Sequence, residues 1–179
     1  MMNQELIDYT HQELIQHKQQ IVADYVNSRQ ASMFFKRYGK ELDRCLGILW
    51  QEMFVNRRMC LLAIGGYGRQ EMYPHSDLDL AIVCAESLSH KDEHDIARFV
   101  QILWDIGLAP AAKIGSTEQL LQAARDDLTS DTAFLEARFV CGNHKLAHEF
   151  VADLNLQRDV AGFVEGKLLE QSQRHYKAR

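Results

Sequence analysis

Residues 61–83 read LLAIGGYGRQEMYPHSDLDLAIV, and this stretch decides the fold. Two short apolar runs, 59–64 and 78–84, enclose a segment that holds glycines and Pro74. Short apolar runs bounded by turn residues are typical of buried β-strands. Glycine and proline are the residues that most often mark turns. The stretch therefore predicts a strand, a glycine-rich turn and a second strand that opens with alternating leucine and aspartate.

Two helices are predicted ahead of these strands. Apolar residues recur at steps of three and four over 6–26 and again over 34–53. This spacing gives each segment one apolar face, which is typical of amphipathic helices that cover a sheet. We predict a break between the two helices at Asn27 and Ser28.

A further helix and a weaker strand follow. Ser89 is suited to cap the start of a helix that ends at Gly107. Residues 108–115, LAPAAKIG, predict an irregular or edge strand, because Pro110 has no N–H to donate to a neighbouring strand. STEQ begins another helix, and most of the remaining chain has a helical composition. The predicted breaks in that region lie near Thr129 and Ser130, at Gly142 and Asn143, and around Asn155.

The order of these elements predicts an α+β fold, in which a small mixed β-sheet is flanked by N-terminal and C-terminal helices. We divide the chain into an N-terminal helical region, 1–56, a central region with the sheet, 57–120, and a C-terminal helical region, 121–179.

Length and charge exclude several classes of protein. The 179 residues suit one domain with a helical appendage, and the formal net charge of −5 provides no basic field for binding long nucleic acid. The apolar runs are far shorter than the roughly 18 residues that a membrane-spanning helix needs. The polar start of the chain does not resemble a signal peptide, and the four cysteines form no CxxC pair. We expect a cytoplasmic protein with reduced thiols and no membrane contact.

Asp77 and Asp79 are the candidate metal ligands. They are two residues apart at the start of a predicted strand, so both side chains project from the same face. Adjacent carboxylates repel each other unless a cation lies between them. Ligands that offer only oxygen favour Mg²⁺, which completes its coordination with water and substrate phosphates.

Four further positions are suited to phosphate. Gly65 and Gly66 have no side chains, so a triphosphate can approach their backbone N–H groups. Arg69 can donate two parallel hydrogen bonds to phosphate oxygens, and Ser76 can donate its hydroxyl. Taken singly, an Asp-Leu-Asp strand is usually a solvated face and a Gly-Gly pair is usually a turn. Together they favour a site, because two aspartates at the head of an apolar strand are costly without a partner.

The same residues resemble those of a known family. An apolar strand, Gly65-Gly66 and then SDLDL at 76–80 is similar to the nucleotidyltransferase fold that DNA polymerase beta shares. The fuller string GGYGR, Glu71, Pro74 and SDLDL resembles the N-terminal domain of the bacterial PII uridylyltransferases. LWDIGL at 103–108 and the segment 127–143 are also similar to that family. The resemblance covers about residues 40–179 and is strongest over 61–83.

The resemblance implies an activity and a set of ligands. It implies that Asp77 and Asp79 bind Mg²⁺ and that Gly65, Gly66, Arg69 and Ser76 surround the triphosphate of UTP. An acceptor hydroxyl on a PII-type signal protein would then attack the α-phosphorus, with pyrophosphate as the leaving group. Such a transfer would serve nitrogen regulation. The family's enzymes continue into further domains, so the resemblance also implies that 121–179 is part of a longer chain.

One departure from the family concerns the metal site. The fold usually supplies a third carboxylate from the following strand, where this chain has Ala109. Asp105 is the nearest acidic residue before that position. A third carboxylate helps to hold a metal and to activate the nucleophile. Its absence lowers the expected activity or assigns the role to Asp105 or to residues outside this chain.

Three hypotheses about function stay open at this point. The first is a Mg²⁺-dependent uridylyltransferase that acts on a protein hydroxyl. The second is a regulatory or interaction domain that keeps the fold, binds a nucleotide and has lost transfer; Ala109 and Pro110 motivate it. The third is an adenylyltransferase similar to the glutamine synthetase adenylyltransferases, which share Glu71-Met72 and SDLDL. The base is not readable from these motifs.

Overall fold

The sheet is built around the two strands that enclose the glycine turn. The computed structural model describes residues 4–55, 57–158, 164–165 and 167–168. In these residues the elements are α1 (Gln4–Ser28), α2 (Ala31–Phe54), β1 (Met59–Ala63), α3 (Gly65–Gly68), β2 (Leu78–Cys84), α4 (His90–Asp105), β3 (Pro110–Ser116), α5 (Thr117–Asp126), α6 (Leu128–Leu135), β4 (Arg138–Gly142) and α7 (His144–Gln157).

The four strands of this sheet lie in the order β3-β2-β1-β4. β1 runs antiparallel to β2 and β4, whereas β2 and β3 run parallel. Parallel neighbours need a crossover connection, and α4 supplies it between β2 and β3. The predicted α+β fold with a mixed sheet is therefore confirmed.

Both faces of the sheet are covered by helices. Leu61 packs with residues of α1, α2 and α4, and its neighbour Leu62 packs on the other face with residues of α5, α6 and α7. Successive side chains of a strand point to opposite faces, and both leucines are fully buried. Burial on two faces explains why β1 and β2 are apolar runs with little polar alternation.

Several local predictions are confirmed. Ser89 caps α4 and Ser116 caps α5, each in a reciprocal arrangement with the residue three positions on. Gly107 ends the turn after α4 with a φ of 81°, which glycine adopts without strain. Pro110 opens β3, which lies at the edge of the sheet as predicted.

The prediction missed one strand and misplaced three helix boundaries. β4 is short and only partly buried, so it lacks the apolar run that identified β1 and β2. The first two helices are separated at Arg29 and Gln30, after Ser28. Asp127 accepts hydrogen bonds from the N–H groups of Thr129 and Ser130, so the break lies at Asp127, and α7 continues past Asn155.

The sheet thus extends beyond residue 120, although the three-region division of the chain itself stays a prediction. Residues 159–163, 166 and 169–179 of the C-terminal region lie outside the described residues. None of the described helices combines the length and the apolar character needed to cross a bilayer.

Candidate active site

Asp77 and Asp79 lie where β2 begins, on the face of the sheet that α5–α7 cover. Further along this face of β2, Ala81 and Val83 are buried under those helices. Asp77 is exposed and Asp79 is half-buried. The two carboxylates therefore occupy the open end of an otherwise apolar face.

The surroundings of Asp79 do not fully compensate its negative charge. Burial raises the pKa of its carboxyl above the ordinary value of 3.8, and the neighbouring charge of Asp77 raises it further. The nearby Gly66 N–H and the positive charges of Arg69 and Lys113 lower this pKa and so act in the opposite direction. Because the net pKa shift is upward, the ionised pair is under-compensated in the protein alone, and a cation would relieve it.

The backbone of the glycine turn packs closely against the Asp79 carboxylate. Gly65 has a φ of 52°, and a Cβ built at this residue would lie 2.7 Å from Asp79 Oδ2. The backbone N–H of the next residue, Gly66, lies near the Asp79 carboxylate and lowers its pKa. A side chain at position 65 would strain the backbone and displace the carboxylate. Gly65, Gly66 and Asp79 therefore form one structural unit.

Arg69 and Ser76 have different surroundings. Arg69 follows α3, is exposed, and donates from Nε to Glu71 Oε2 at 3.0 Å. Ser76 is half-buried and lines a cavity of about 150 Å³ beside α2, together with Tyr38 and Ala109. The structure thus brings Gly65, Gly66, Arg69 and Asp77 around Asp79 and places Ser76 at a neighbouring cavity. Their contacts with metal and nucleotide stay predictions.

The register of β3 locates the position of the absent third carboxylate. Leu78 pairs with Pro110 and Asp79 pairs with Ala111. Ala109 precedes β3, and its carbonyl oxygen accepts a hydrogen bond from the Leu78 N–H, so it stands beside the start of β2. Ala111 faces the same way as Asp79. The described residues contain no cluster of three or more histidine, cysteine, aspartate or glutamate side chains that could hold a metal.

Asp105 does not fill this gap. It ends α4 and accepts a hydrogen bond from Gln101 Nε2 of the same helix at 2.9 Å. The candidate donor set is therefore the pair Asp77 and Asp79. Two carboxylates with open positions still fit Mg²⁺, which is commonly held by one or two carboxylates, waters and substrate phosphates.

A network of polar side chains around the buried Tyr67 attaches the glycine turn to α2 and β4. Tyr67 is fully buried and donates its hydroxyl to Asp43 of α2. Arg138 of β4 donates to both oxygens of Asp43, at 2.7 and 3.0 Å, and its guanidinium lies over the Tyr67 ring. Burial and the charge of Asp43 raise the pKa of Tyr67, so the hydroxyl stays a donor. The network ties the turn to a helix and to an edge strand.

Sequence reasoning missed these three residues and also Lys113. Asp43 and Arg138 are 95 positions apart, and their contact depends on β4, which was not predicted. Lys113 stands in the weakly patterned segment 108–115, and only the pairing of β3 with β2 shows which face it shares. Only the register of β3 against β2 shows that Lys113 shares a face of the sheet with Asp79.

Comparisons with known proteins identify relatives that cover most of this chain. The bifunctional uridylyltransferase/uridylyl-removing enzyme of Neisseria gonorrhoeae is 47% identical over 157 residues, which is 88% of this chain and 18% of that protein. The enzyme of the same name from Chromobacterium violaceum is 34% identical over 169 residues, 94% of this chain and 20% of that protein. The chain thus spans about a fifth of the length of these curated relatives.

Solved structures give a more distant likeness. A toxin–antitoxin crystal structure with AMP-PNP aligns with a TM-score of 0.40 and 10% identity, over 73% of this chain and 94% of that one. A family model described as "Putative nucleotidyltransferase DUF294" matches residues 12–114, more than half of the chain. The matched range includes the glycine turn and both aspartates. The chain belongs to the nucleotidyltransferase family DUF294.

Proposed function

We propose that this chain is a Mg²⁺-dependent, cytoplasmic nucleotidyltransferase domain that transfers UMP from UTP to a hydroxyl of a PII-type signal protein in nitrogen regulation. The observation that carries the proposal is the Asp77–Asp79 pair beside a glycine turn shaped around Asp79. The identity to uridylyltransferases over most of the chain supports the choice of UTP.

In this proposal each residue has a defined task. Asp77 and Asp79 would hold Mg²⁺, and the ion would supply positive charge that neutralises the phosphates. Gly66 holds Asp79 in a fixed orientation, and Arg69 binds phosphate oxygens in place of Glu71. The acceptor hydroxyl attacks the α-phosphorus, and the O–P bond to pyrophosphate breaks. Phosphoryl transfer depends mainly on positioning and electrostatic stabilisation, which these fixed side chains supply.

The direct test is a transfer assay on the 179-residue chain. UTP or ATP labelled at the α-phosphate is incubated with Mg²⁺ and a PII-type protein, beside the Asp77→Asn variant. We expect label from UTP on the acceptor, and no label with the variant. Transfer from ATP alone would instead support the adenylyltransferase alternative. UTP binding without transfer would support the second candidate, a nucleotide-binding domain that has lost catalysis.

The second candidate is favoured by the alanines that stand beside the aspartates, and it leads to a separate prediction. Ala109→Glu places a carboxylate just before β3, beside the start of β2 that carries the aspartates. We expect it to raise the transfer rate and to lower the Mg²⁺ concentration needed for half-maximal rate. Ala109→Gln, which has the same shape without the charge, is the matched control. Equal rates for the two variants would show that a third carboxylate is not what the site lacks.

A further inference from the structure

Lys113 lies on the face of the sheet that carries the two aspartates. In the parallel pairing of β2 and β3, Asp79 pairs with Ala111 and Ala81 pairs with Lys113. Paired residues in neighbouring strands project from the same face. The small side chains of Ala109 and Ala111 leave the space between Lys113 and the aspartates free of bulky groups. Lys113 itself is half-buried.

The ammonium group of Lys113 is oriented by a hydrogen bond and not by a direct ion pair, and its charge also acts on Asp127. Its Nζ donates to Ser130 Oγ at 3.0 Å, and Ser130 in turn donates to Asp127 Oδ2 at 2.7 Å. Among the described residues, none offers Nζ a carboxylate within the 4.0 Å of an ion pair. An ammonium has three N–H donors, and Ser130 uses one of them. Two donors stay available on a cation that the start of α6 holds in place.

Lys113 and Arg69 flank the aspartates on two sides. β2 lies between β3, which carries Lys113, and β1, which leads into the turn before Arg69. Both cations act on Asp79. With a divalent cation on the two carboxylates, the site would carry an excess of positive charge. That excess is complementary to the phosphate chain of a nucleoside triphosphate.

We propose that Lys113 binds the phosphates of the nucleoside triphosphate from the β3 side, opposite Arg69, so that the phosphate chain spans the two aspartates. This inference rests on the proposed function and adds a specific phosphate-binding residue to it. The competing explanation is structural: the hydrogen bond from Lys113 to Ser130 would serve only to attach α6 to the sheet.

Calorimetric titration of UTP with Mg²⁺ separates the two explanations, because it measures binding without transfer. We expect Lys113→Met to weaken UTP binding by about tenfold or more, since hydrogen bonds from a cation to phosphate are strong. Lys113→Arg keeps the charge and should bind within about threefold of the wild type. Ser130→Ala removes the attachment to α6 and keeps the ammonium, so it should also stay within about threefold.

The matched control is Lys145→Met, which removes an exposed lysine that pairs with Glu149 on α7; it should leave UTP binding unchanged. Circular dichroism confirms that each variant is folded. If Ser130→Ala weakens binding as much as Lys113→Met, or if Lys113→Met binds like the wild type, the assignment of Lys113 is overturned while the proposed function stands. If the wild type binds neither UTP nor ATP, both proposals fail.

Discussion

Replacing Asp79 by asparagine is expected to lower nucleotidyl transfer by about 10³-fold, because one of the two metal-binding carboxylates is lost. The same change is expected to make the nucleotide-free protein more stable at neutral pH. Burial holds the pKa of this carboxyl above its ordinary value, with a further contribution from Asp77. Asparagine removes the charge and keeps an oxygen near the Gly66 N–H.

The pH dependence follows from the direction of the pKa shift. Because the folded protein binds the proton of Asp79 more readily than the unfolded chain, ionisation of this group destabilises the fold. Its contribution to stability is most favourable below the ordinary pKa of 3.8 and is lost as the pH rises through the raised pKa of the folded state. The advantage of Asp79→Asn should be complete at pH 7 and vanish as the pH falls below 3.8.

Thermal unfolding of both proteins between pH 3 and pH 8, without nucleotide, measures this difference. Asp77→Asn is the matched control: its carboxylate is exposed, so we expect loss of transfer with a smaller gain in stability. UTP with Mg²⁺ should raise the unfolding temperature of the wild type more than that of Asp79→Asn, since only ligands that bind the folded state stabilise it. Retained transfer in Asp79→Asn would contradict the proposed metal site.

Local patterns predicted the parts of the site that lie close together in the sequence. Alternation in LDLAIVC placed Asp77 and Asp79 on one face, and the double glycine placed a turn before them. Ser89 and Ser116 predicted helix starts from their own side chains and the three residues that follow. Each of these signals is contained within a few positions, so one sequence is enough to read it.

Contacts between distant segments could not be predicted in this way. The position of Ala109 beside the start of β2 depends on the register of β3 against β2. The role of Tyr67 depends on Asp43 and Arg138, which reach it from α2 and β4. A shift of register by one residue would turn Lys113 to the other face of the sheet. The sequence shows the residues that carry chemistry, and the tertiary packing determines which others join them.

Gly68 is a clear case of a residue whose importance lies only in tertiary packing, and Gly68→Ala is expected to be severely destabilising. A Cβ at this position would lie 2.0 Å from the carbonyl oxygen and 2.9 Å from the carbonyl carbon of Glu136. It would also lie 3.2 Å from the carbonyl oxygen of Ala63. These atoms belong to the backbone, so no side-chain rotation relieves the contact.

The backbone after α6 must therefore move away from the glycine turn. Overpacking of this kind lowers the free energy of unfolding by about 3 kcal/mol, and urea denaturation measures the loss. Gly47→Ala is the matched control, because a Cβ there has no neighbour within 4 Å. Gly47 lies inside α2, where alanine should stabilise the helix by about 0.5–1 kcal/mol.

A consequence for the site distinguishes Gly68 from an ordinary packing residue. Gly68 ends the helical turn that begins at Gly65, and that turn places the Gly66 N–H near Asp79. Displacement of its end should disturb the close packing of this turn against Asp79, so the folded fraction of Gly68→Ala should bind UTP with Mg²⁺ more weakly than the wild type. Unchanged UTP affinity in that fraction, or a stability equal to that of the wild type, would show that the segment from Gly65 to Asp79 does not act as one rigid unit.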